Sequence, residues 1–215
     1  DNDPRLFGAK EQFTTPGNAN YMWFQTLWYH LNEKGTAGVV MANGAMTSGS
    51  AGEKNVREYM IENGMVDCIV QMPDKLFLTT GIPACLFILS KNRDGRDGLH
   101  RERTKEILFI DARKLGKMVS RKLRVFEEED LKKVTDVYHT WRNVSSSGYA
   151  DMEGFCKSST VNEVKTNNYV ISPGRYVGTE AEEDDGISFE EKMEKLTAEL
   201  MGQFEEGERL EKEIK

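Results

Sequence analysis

The chain has 215 residues, of which 38% are hydrophobic and 30% are charged, and its formal net charge is −7. This composition predicts one soluble globular core with a solvated extension. It excludes an integral membrane protein, because no apolar run approaches the roughly 20 residues of a membrane helix. Cys68, Cys85 and Cys156 are odd in number and widely spaced, which argues against a disulfide framework or a zinc site. We therefore expect buried thiols and a cytoplasmic location.

The negative charge is concentrated at the C-terminal end. Residues 180–215 hold 14 acidic and 5 basic residues, whereas residues 1–179 carry a net charge of +2. Within that body, residues 91–124 hold 12 basic and 5 acidic residues. A mildly basic body is compatible with a nucleic-acid partner, although charge alone favours a solvated surface for both regions.

The pattern of apolar residues predicts alternating helices and strands, after a loop at residues 1–15 and a turn at residues 16–18 with Asn18 as a helix cap. In chain order we expect a helix at 19–31, a strand buried on both faces at Thr36–Ala42, a loop at 43–52, a helix at 53–62, strands at 65–72 and 82–89, an exposed turn at 92–105, a strand at 106–111, a helix at 127–142 and a flexible link at 145–148. This alternation is typical of an α/β sheet.

Residues 188–215 predict a long helix of the coiled-coil type. Ser188 and Glu191 form an S-x-x-E capping box. Apolar residues then follow alternating steps of four and three, with Gln203 and Gly207 in the two positions that lack one. These seam residues are Phe189, Met193, Leu196, Leu200, Leu210 and Ile214. Another surface has to pack against the apolar seam. That surface belongs either to a partner chain, which the acidic linker at 180–186 favours, or to the body of the same chain.

The residues by themselves predict neither a complete active site nor a metal site. His30, His100 and His139 have no metal-ligand spacing. Residues 49–54 hint at a phosphate loop, but they lack the Gly-Lys-Ser/Thr of that motif. A nucleotide-binding dehydrogenase is disfavoured because the chain has no G-x-G-x-x-G fingerprint.

Several ordered motifs carry a more specific signal. Residues 35–44 read GTAGVVMANG, residues 154–158 read GFCKS and residues 169–178 read YVISPGRYVG. Together with residues 16–20, 67–83 and 109–112, they resemble the methylation subunit of type I restriction–modification systems over residues 17–177. That family methylates adenine N6 in DNA with S-adenosylmethionine as the methyl donor. The resemblance implies an α/β fold, namely the C-terminal half of a Rossmann-like methyltransferase sheet followed by a long C-terminal helix.

The resemblance also implies three parts. Residues 1–143 would form the C-terminal half of the catalytic domain. Residues 144–186 would be a connecting segment that holds the GFCKS and PGRYVG motifs. Residues 187–215 would be a helix that associates with another subunit through its seam residues.

The loop at residues 73–83 acquires a role through the same resemblance. In amino-methyltransferases of DNA, the loop between the last two strands supplies an aromatic ring that stacks on the flipped target base. Phe77 is the residue implied here, with Asn43 and Thr80 as further candidates for contacts with the substrate. The competing interpretation packs Phe77 beneath its own loop.

Two motifs of the family do not occur in the sequence. One is the glycine-bearing turn that binds the cofactor, and the other is the Asn-Pro-Pro-Phe/Tyr that positions the adenine amino group. We therefore expect no catalytic residue in this chain, a S-adenosylmethionine site mostly outside it, a natural start before Asp1, and no activity of the chain alone. An open sheet edge would favour self-association.

The partners implied by the resemblance are a DNA-specificity subunit, a second methylation subunit, a restriction subunit in the full complex, and double-stranded DNA. The alternative function is a non-catalytic assembly module that docks on the specificity subunit through the C-terminal helix. We expect no membrane partner.

Overall fold

The computed structural model describes residues 3–7, 19–145, 148–179 and 189–214. Outside these residues lie the turn predicted at 16–18 with its Asn18 cap, the Ser188 cap, the acidic linker at 180–186, most of the loop predicted at 1–15 and half of the link predicted at 145–148. The chain divides into two units, Asp1–Glu180 and Ala181–Lys215. The domain boundaries after residues 143 and 186 stay predictions.

The first unit alternates helices and strands, and the second contains one long helix. In chain order the elements are α1 (Asn20–His30), β1 (Thr36–Ala42), a 3-10 turn (Asn43–Met46), α2 (Ala51–Glu62), β2 (Val66–Gln71), β3 (Ala84–Ser90), β4 (Glu106–Asp111), β5 (Lys117–Met118), β6 (Arg124–Val125), α3 (Glu128–Arg142), β7 (Cys156–Thr160), α4 (Val161–Thr166), a second 3-10 turn (Pro173–Arg175) and α5 (Phe189–Ile214). The α/β class and the long C-terminal helix are confirmed.

Five strands form a mixed sheet in the order β1-β3-β2-β4-β7. β2 and β4 are parallel, whereas β3 is antiparallel to both β1 and β2, and β7 is antiparallel to β4. The register pairs Ala42 with Ala84, and Gln71 with both Cys85 and Asp111. The last residues of β1, β2 and β4 therefore lie together at one end of the sheet, which we call the carboxyl end. The opposite end is the amino end.

Two apolar clusters cover the two faces of the sheet. Phe24 of α1 and Phe109 of β4 belong to the first cluster, to which α2 also contributes. Trp141 of α3 belongs to the second, together with Leu108 and Ile110 of β4. Successive side chains of a strand point to opposite faces, so β4 supplies both clusters. Burial on both faces explains why most residues of β2 and β4 are apolar, and the sequence predicted both strands correctly.

The prediction that β1 is buried on both faces is wrong. Every second residue of the strand is exposed, and Val40 is 53% exposed. β1 is the outermost strand among the described residues, and it pairs only with β3. One face of the strand packs against the first cluster, which includes Val39 and Met41 as partly buried members. Apolarity alone did not reveal that the other face is uncovered.

The prediction of an exposed turn at residues 92–105 is confirmed for the turn but is wrong for two of its side chains, Arg93 and Arg103. Arg93 is 2% exposed and Arg103 is 1% exposed, and both guanidinium groups surround the buried carboxylate of Asp67. The Nε atoms of the two arginines lie 3.0 and 2.8 Å from Asp67 Oδ1, and the Tyr138 hydroxyl donates to Oδ2 at 2.7 Å. A buried cation is tolerated only when a charge of opposite sign and hydrogen bonds compensate the lost hydration.

Residues 148–179, predicted to lie in a connecting segment, contribute to the sheet and the core. The strand β7 runs from Cys156 and pairs with β4. The amide of Gly154 donates to the carbonyl of Val177 at 2.7 Å, which joins the GFCKS and YVISPGRYVG motifs. The ring of Tyr176 stacks on Phe109 at a centroid distance of 4.0 Å. Both motifs therefore belong structurally to the first unit.

Candidate functional site

Three segments meet at the carboxyl end of the sheet. Residues 43–50 follow β1, residues 72–83 join β2 to β3, and residues 112–126 follow β4 and contain the β5–β6 hairpin. The first begins beside the end of the second because Ala42 pairs with Ala84. The third is connected to the second by a backbone hydrogen bond of 2.7 Å from the Arg124 amide to the Lys75 carbonyl. Because loops at one end of a sheet can act together on one ligand, we treat this end as the candidate site.

The loop between β2 and β3 holds Phe77 at the surface. Phe77 and Thr80 form an isolated antiparallel bridge, in which the Thr80 amide donates to the Phe77 carbonyl at 3.4 Å. This tight turn leaves Phe77 40% exposed and Leu78 84% exposed. Phe77 is thus not enclosed beneath its own loop, and part of the residue is open to a partner.

The direction of this loop is set by a left-handed residue at its start. Lys75 has a φ of 59°, which is uncommon for a residue with a side chain. Its carbonyl accepts the 2.7 Å hydrogen bond from the Arg124 amide. The Arg124 guanidinium lies 3.6 Å from the Asp74 carboxylate and donates to the Gly116 carbonyl at 3.0 Å. The hairpin therefore holds the turn from which the Phe77 loop extends.

The other two predicted substrate contacts, Asn43 and Thr80, lie at the same end. Asn43 opens the 3-10 turn after β1, and its buried Oδ1 has no hydrogen-bond partner among the described residues. Thr80 is exposed, and its Oγ1 accepts from the Ile82 amide at 3.2 Å. In the described part of the chain no hydrogen bond joins the side chains of Asn43 and Thr80. They share an end of the sheet with Phe77, and their roles stay predictions.

The segment after β1 is fixed by a buried arginine. Arg57 of α2 is 2% exposed, and its Nη2 donates to the Ser48 carbonyl at 2.8 Å. Its Nε donates to the Tyr169 carbonyl, also at 2.8 Å. The Ile171 amide adds a third link by donating to the Met46 carbonyl at 3.1 Å. The YVISPGRYVG motif thus supports the loop at residues 43–50, a role that the sequence did not reveal because the contacts are long-range.

The stretch at residues 49–54 has the wrong electrostatics for a phosphate. The Glu53 carboxylate is buried at the start of α2 and accepts hydrogen bonds from the hydroxyls of Ser48 and Ser50, the latter at 3.1 Å. A buried negative charge at a helix N-terminus occupies the position that an anion would need.

The titratable groups beneath the site are structural donors. Burial raises the pKa of Tyr21 to about 12, and its hydroxyl donates to the Ala45 carbonyl. Burial likewise raises the pKa of Cys85 to about 12, and its thiol donates to the Met41 carbonyl at 3.4 Å. A protonated phenol and a protonated thiol are poor nucleophiles near neutral pH.

The residues that the structure describes offer neither a metal site nor a membrane-spanning helix. Their His, Cys, Asp and Glu side chains form no group of three or more that could hold a metal ion. Every helix in this part of the chain is too short or too polar to cross a bilayer.

Every described side chain of the second unit is exposed, the predicted seam among them. α5 is a single helix of 26 residues. The seam residues with described side chains, Phe189, Met193, Leu196, Leu200 and Leu210, are all exposed, whereas the side chain of Ile214 lies outside the described residues. Phe204 is exposed as well and lies one turn after Leu200. The heptad assignment missed Phe204 because it follows the expected position, Gln203, by one residue.

The charge of the hairpin segment was not predicted either. Residues 112–126 contain six basic and no acidic residues. The wider count over residues 91–124 diluted this signal with acidic residues, among them Asp94 and Asp97. A shorter window would have found the run, although not its position beside Phe77.

Comparisons with known proteins match nearly the whole chain. The model of the family described as N-6 DNA Methylase matches residues 1–185. The chain is 45% identical over 199 residues to the type I restriction enzyme HindI methylase subunit of Haemophilus influenzae, which covers 93% of this chain and 43% of that protein. It is 38% identical over 216 residues to the MjaIX methylase subunit of Methanocaldococcus jannaschii, with coverages of 99% and 37%. The chain thus spans less than half the length of these relatives.

Solved structures share the fold. The type I restriction–modification methyltransferase subunit from Streptococcus thermophilus superposes with a TM-score of 0.68 at 25% identity, and the match covers 82% of this chain and 34% of that one. The EcoKI M protein of a type I restriction enzyme gives a TM-score of 0.55 at 15% identity, with coverages of 86% and 41%. The second likeness concerns the fold alone, and together they confirm the predicted methyltransferase type of α/β sheet.

Proposed function

This chain belongs to the N-6 DNA methylase family, and on that premise we propose that it is the part of a type I methylation subunit that presents the target adenine for N6 methylation. The observation that carries the proposal is the exposed Phe77 at the carboxyl end of the sheet, on a loop held by Arg124. A base that leaves the duplex loses its stacking partners, and an aromatic ring restores about 1–3 kcal/mol per base.

Asn43 and Thr80 are proposed as polar contacts to the same substrate. The Oδ1 of Asn43, which has no partner among the described residues, is able to accept a hydrogen bond from an amino group. The Thr80 hydroxyl is exposed beside Phe77. A buried acceptor without a donor is unfavourable unless a ligand supplies one, which supports a binding role for Asn43.

The family generally takes its methyl group from S-adenosylmethionine. The described residues do not fit a site for this cofactor, because the glycine-containing connection from β1 to α2 lacks the G-x-G-x-x-G spacing and places the buried Glu53 carboxylate at the start of the helix. Asp111, the acidic residue at the end of β4, is engaged by Arg113 at 2.6 Å. We therefore assign no residue of this chain to the cofactor, and we propose that its site is formed mostly by other residues of the complete subunit.

Replacement of Phe77 tests the proposal in the complete subunit assembled with its specificity subunit. Phe77→Ala should lower kcat/KM for DNA methylation by about 5- to 150-fold, which corresponds to the loss of about 1–3 kcal/mol of stacking. Leu78→Ala is the matched control because it shortens the exposed neighbour, and it should retain activity. A Phe77→Ala subunit that methylates at the wild-type rate overturns the role of Phe77.

Fluorescence of 2-aminopurine at the target adenine separates stacking from a general defect. The wild-type loop should quench the flipped probe, whereas Phe77→Ala should leave it bright. Phe77→Trp should restore the quenching and the activity, since a larger aromatic plane stacks on the same base.

A second function, subunit assembly through α5, is favoured by the exposed seam. Its apolar side chains, from Phe189 to Leu210, are solvent-exposed in the described chain, and such a stripe is stable when another helix covers it. We propose the DNA-specificity subunit as that partner, in a complex with a second methylation subunit and a restriction subunit.

The assembly proposal is tested by charge on the seam. Leu196→Asp with Leu200→Asp should abolish co-purification with the specificity subunit. The control pair, Ala198→Asp with Gly202→Asp, adds the same charges on another face of α5 and should assemble normally. Equal effects of the two pairs would show that added charge, not the seam, matters.

We further propose that this chain is inactive alone, that it self-associates through the uncovered β1, and that it acts in the cytoplasm, where its three buried cysteines stay reduced. Light scattering at high concentration tests the self-association, and a monomer contradicts it. A methyl-transfer assay on the isolated chain tests its inactivity.

A further inference from the structure

The segment after β4 is the most basic part of the described first unit. We call residues 112–126 the basic hairpin, because they contain the β5–β6 pair and six basic residues without an acidic one. The two strands pair Lys117 with Val125 and Met118 with Arg124. Its turn is closed by the Val119 amide, which donates to the Leu123 carbonyl at 3.0 Å.

The hairpin is fixed to the body through its second strand. The backbone and side chain of Arg124 hold the hairpin to Lys75 and Asp74 at the start of the Phe77 loop. Gly116 permits the sharp bend into β5, since its φ is +81° and an added Cβ would lie 2.9 Å from the Val125 carbonyl oxygen. The orientation of the hairpin relative to the Phe77 loop is therefore set by defined contacts.

The charges near the tip differ from those at the base. At the base, Arg113 is paired with Asp111, and Arg124 lies near Asp74. At the tip, Arg121 and Lys122 are exposed, and neither forms an ion pair with another described residue. These two cations line a surface groove with Lys75, Phe77, Leu78 and Thr80. The groove thus combines an exposed aromatic residue with Arg121 and Lys122, for which the described residues supply no counter-charge.

We propose that the basic hairpin binds DNA phosphates beside the flipped base, with Arg121 and Lys122 as the two principal contacts. The proposal rests on the proposed function, because it assigns the DNA backbone to the same site that presents Phe77 to the base. Side-chain cations in protein–DNA complexes bind mainly to phosphates, which fixes the position of the duplex without reading its sequence. Stacking of a flipped base on Phe77 requires that the protein also binds the DNA backbone on either side of that base.

An acidic protein surface is the competing partner for such cations. The groove favours DNA because it holds the exposed aromatic residue Phe77, and an aromatic ring is suited to stack on a base and not to bind a carboxylate. A cationic groove with an aromatic platform is the usual composition of a surface that holds an unpaired nucleotide.

The salt dependence of DNA binding tests the proposal. In the complete methyltransferase complex, Arg121→Gln with Lys122→Gln should reduce the slope of log K against log salt by about 2, since each released phosphate contact contributes about 0.9. At about 0.1 M salt the affinity should fall about tenfold, equally for duplexes with and without the target sequence. Fluorescence anisotropy with a labelled duplex measures both quantities.

Lys34→Gln with Lys105→Gln is the matched control. Both lysines are exposed, and they precede β1 and β4 at the amino end of the sheet. This pair should leave the slope unchanged. An unfolded Arg121/Lys122 variant is recognised by its melting temperature, and the exposed positions of both side chains predict a wild-type value.

The outcomes separate this proposal from the function on which it rests. If the wild-type complex methylates DNA but the hairpin variant keeps the wild-type salt slope, the hairpin assignment is overturned and the proposed function stands. If the variant instead no longer co-purifies with another subunit of the complex while its DNA binding is unchanged, the hairpin docks an acidic protein surface and the DNA assignment is overturned. If the intact wild-type complex does not methylate DNA, the proposed function itself fails.

Discussion

At the amino end of the sheet Arg93, Arg103 and Asp67 are buried together, whereas at the carboxyl end Phe77 and Leu78 are exposed. Both arrangements are energetically unfavourable for isolated groups. Charges lose hydration when they are buried, and apolar side chains order water when they are exposed. At the amino end the compensation is internal, because each cation meets the carboxylate. At the carboxyl end no described residue covers the apolar surface, which indicates a site for a ligand.

This contrast separates residues that maintain the fold from residues that act on a partner. The amino end connects β2, the segment at 92–105 and α3 through Asp67 and Tyr138. The carboxyl end depends on backbone geometry at Lys75 and on the hairpin. Substitutions at the amino end should therefore change stability, and substitutions at the carboxyl end should change function.

The largest effect is expected for Asp67→Ala. It leaves two buried guanidinium groups without their counter-charge, and breaking a buried ion pair on one side costs about 3–5 kcal/mol in the free energy of unfolding. Urea denaturation measures the loss. Asp94→Ala is the control, because its partner Arg96 is largely exposed and an exposed pair contributes about 1 kcal/mol or less. Equal losses in both variants contradict the structural role of the amino end.

A smaller loss is expected for Tyr138→Phe. The substitution removes only the hydroxyl that donates to Asp67 Oδ2 at 2.7 Å, and a buried hydrogen bond to a charged group contributes about 1.5–3 kcal/mol. Tyr29→Phe removes an exposed hydroxyl and should be neutral. A neutral result for both tyrosines would show that the arginines alone stabilise the carboxylate.

The pH dependence of stability should show a modest contribution from Glu106. Its hydrogen bond from the Arg101 guanidinium, at 2.7 Å, holds the pKa of this carboxyl below its usual value. The contribution is present above the usual pKa of 4.5 and is lost as the pH falls through the lowered one. Since the group is about one-third exposed, the effect should stay below about 1 kcal/mol.

Measurements of the free energy of unfolding against pH check this expectation. The wild-type curve should fall more steeply on acidification than the curve of Glu106→Gln, and the two should converge at low pH. Parallel curves would show that the Arg101 contact does not titrate with folding.

The smallest effect on stability is expected at the carboxyl end. Phe77→Ala and Leu78→Ala should each change the free energy of unfolding by no more than about 0.5 kcal/mol, because both residues are exposed. Thermal and urea denaturation measure the change. A loss above about 2 kcal/mol in Phe77→Ala would mean that the ring supports the fold, which would weaken its assignment as a ligand contact.

The reactivity of the three cysteines tests whether their side chains are buried. Burial raises the pKa of the Cys68, Cys85 and Cys156 thiols, so all three should react with a thiol reagent only after unfolding. Rapid labelling of the native protein at pH 8 would contradict the burial of these side chains.

Local patterns were sufficient where the environment of a strand is uniform. The run from Glu106 to Asp111 is buried on both faces and was predicted with its observed bounds. The spacing of apolar residues over residues 188–215 also predicted α5 and most of the large apolar side chains that it exposes. By contrast, β1 is similarly apolar, but one of its faces is uncovered. Burial of a face depends on which elements pack against the strand in the folded chain, and the residues of the strand alone do not reveal these neighbours.

The sequence by itself determined the α/β class, the family resemblance and the candidate Phe77, because these depend on residue identity and on spacing along the chain. Only the tertiary structure decided that Arg93 and Arg103 are buried around Asp67 and that Arg121 and Lys122 lie beside Phe77. The charge of an arginine is the same in both places. An arginine stabilises the core when folding brings a carboxylate within about 4 Å of its guanidinium group. It is available to bind an anion when no carboxylate lies that close.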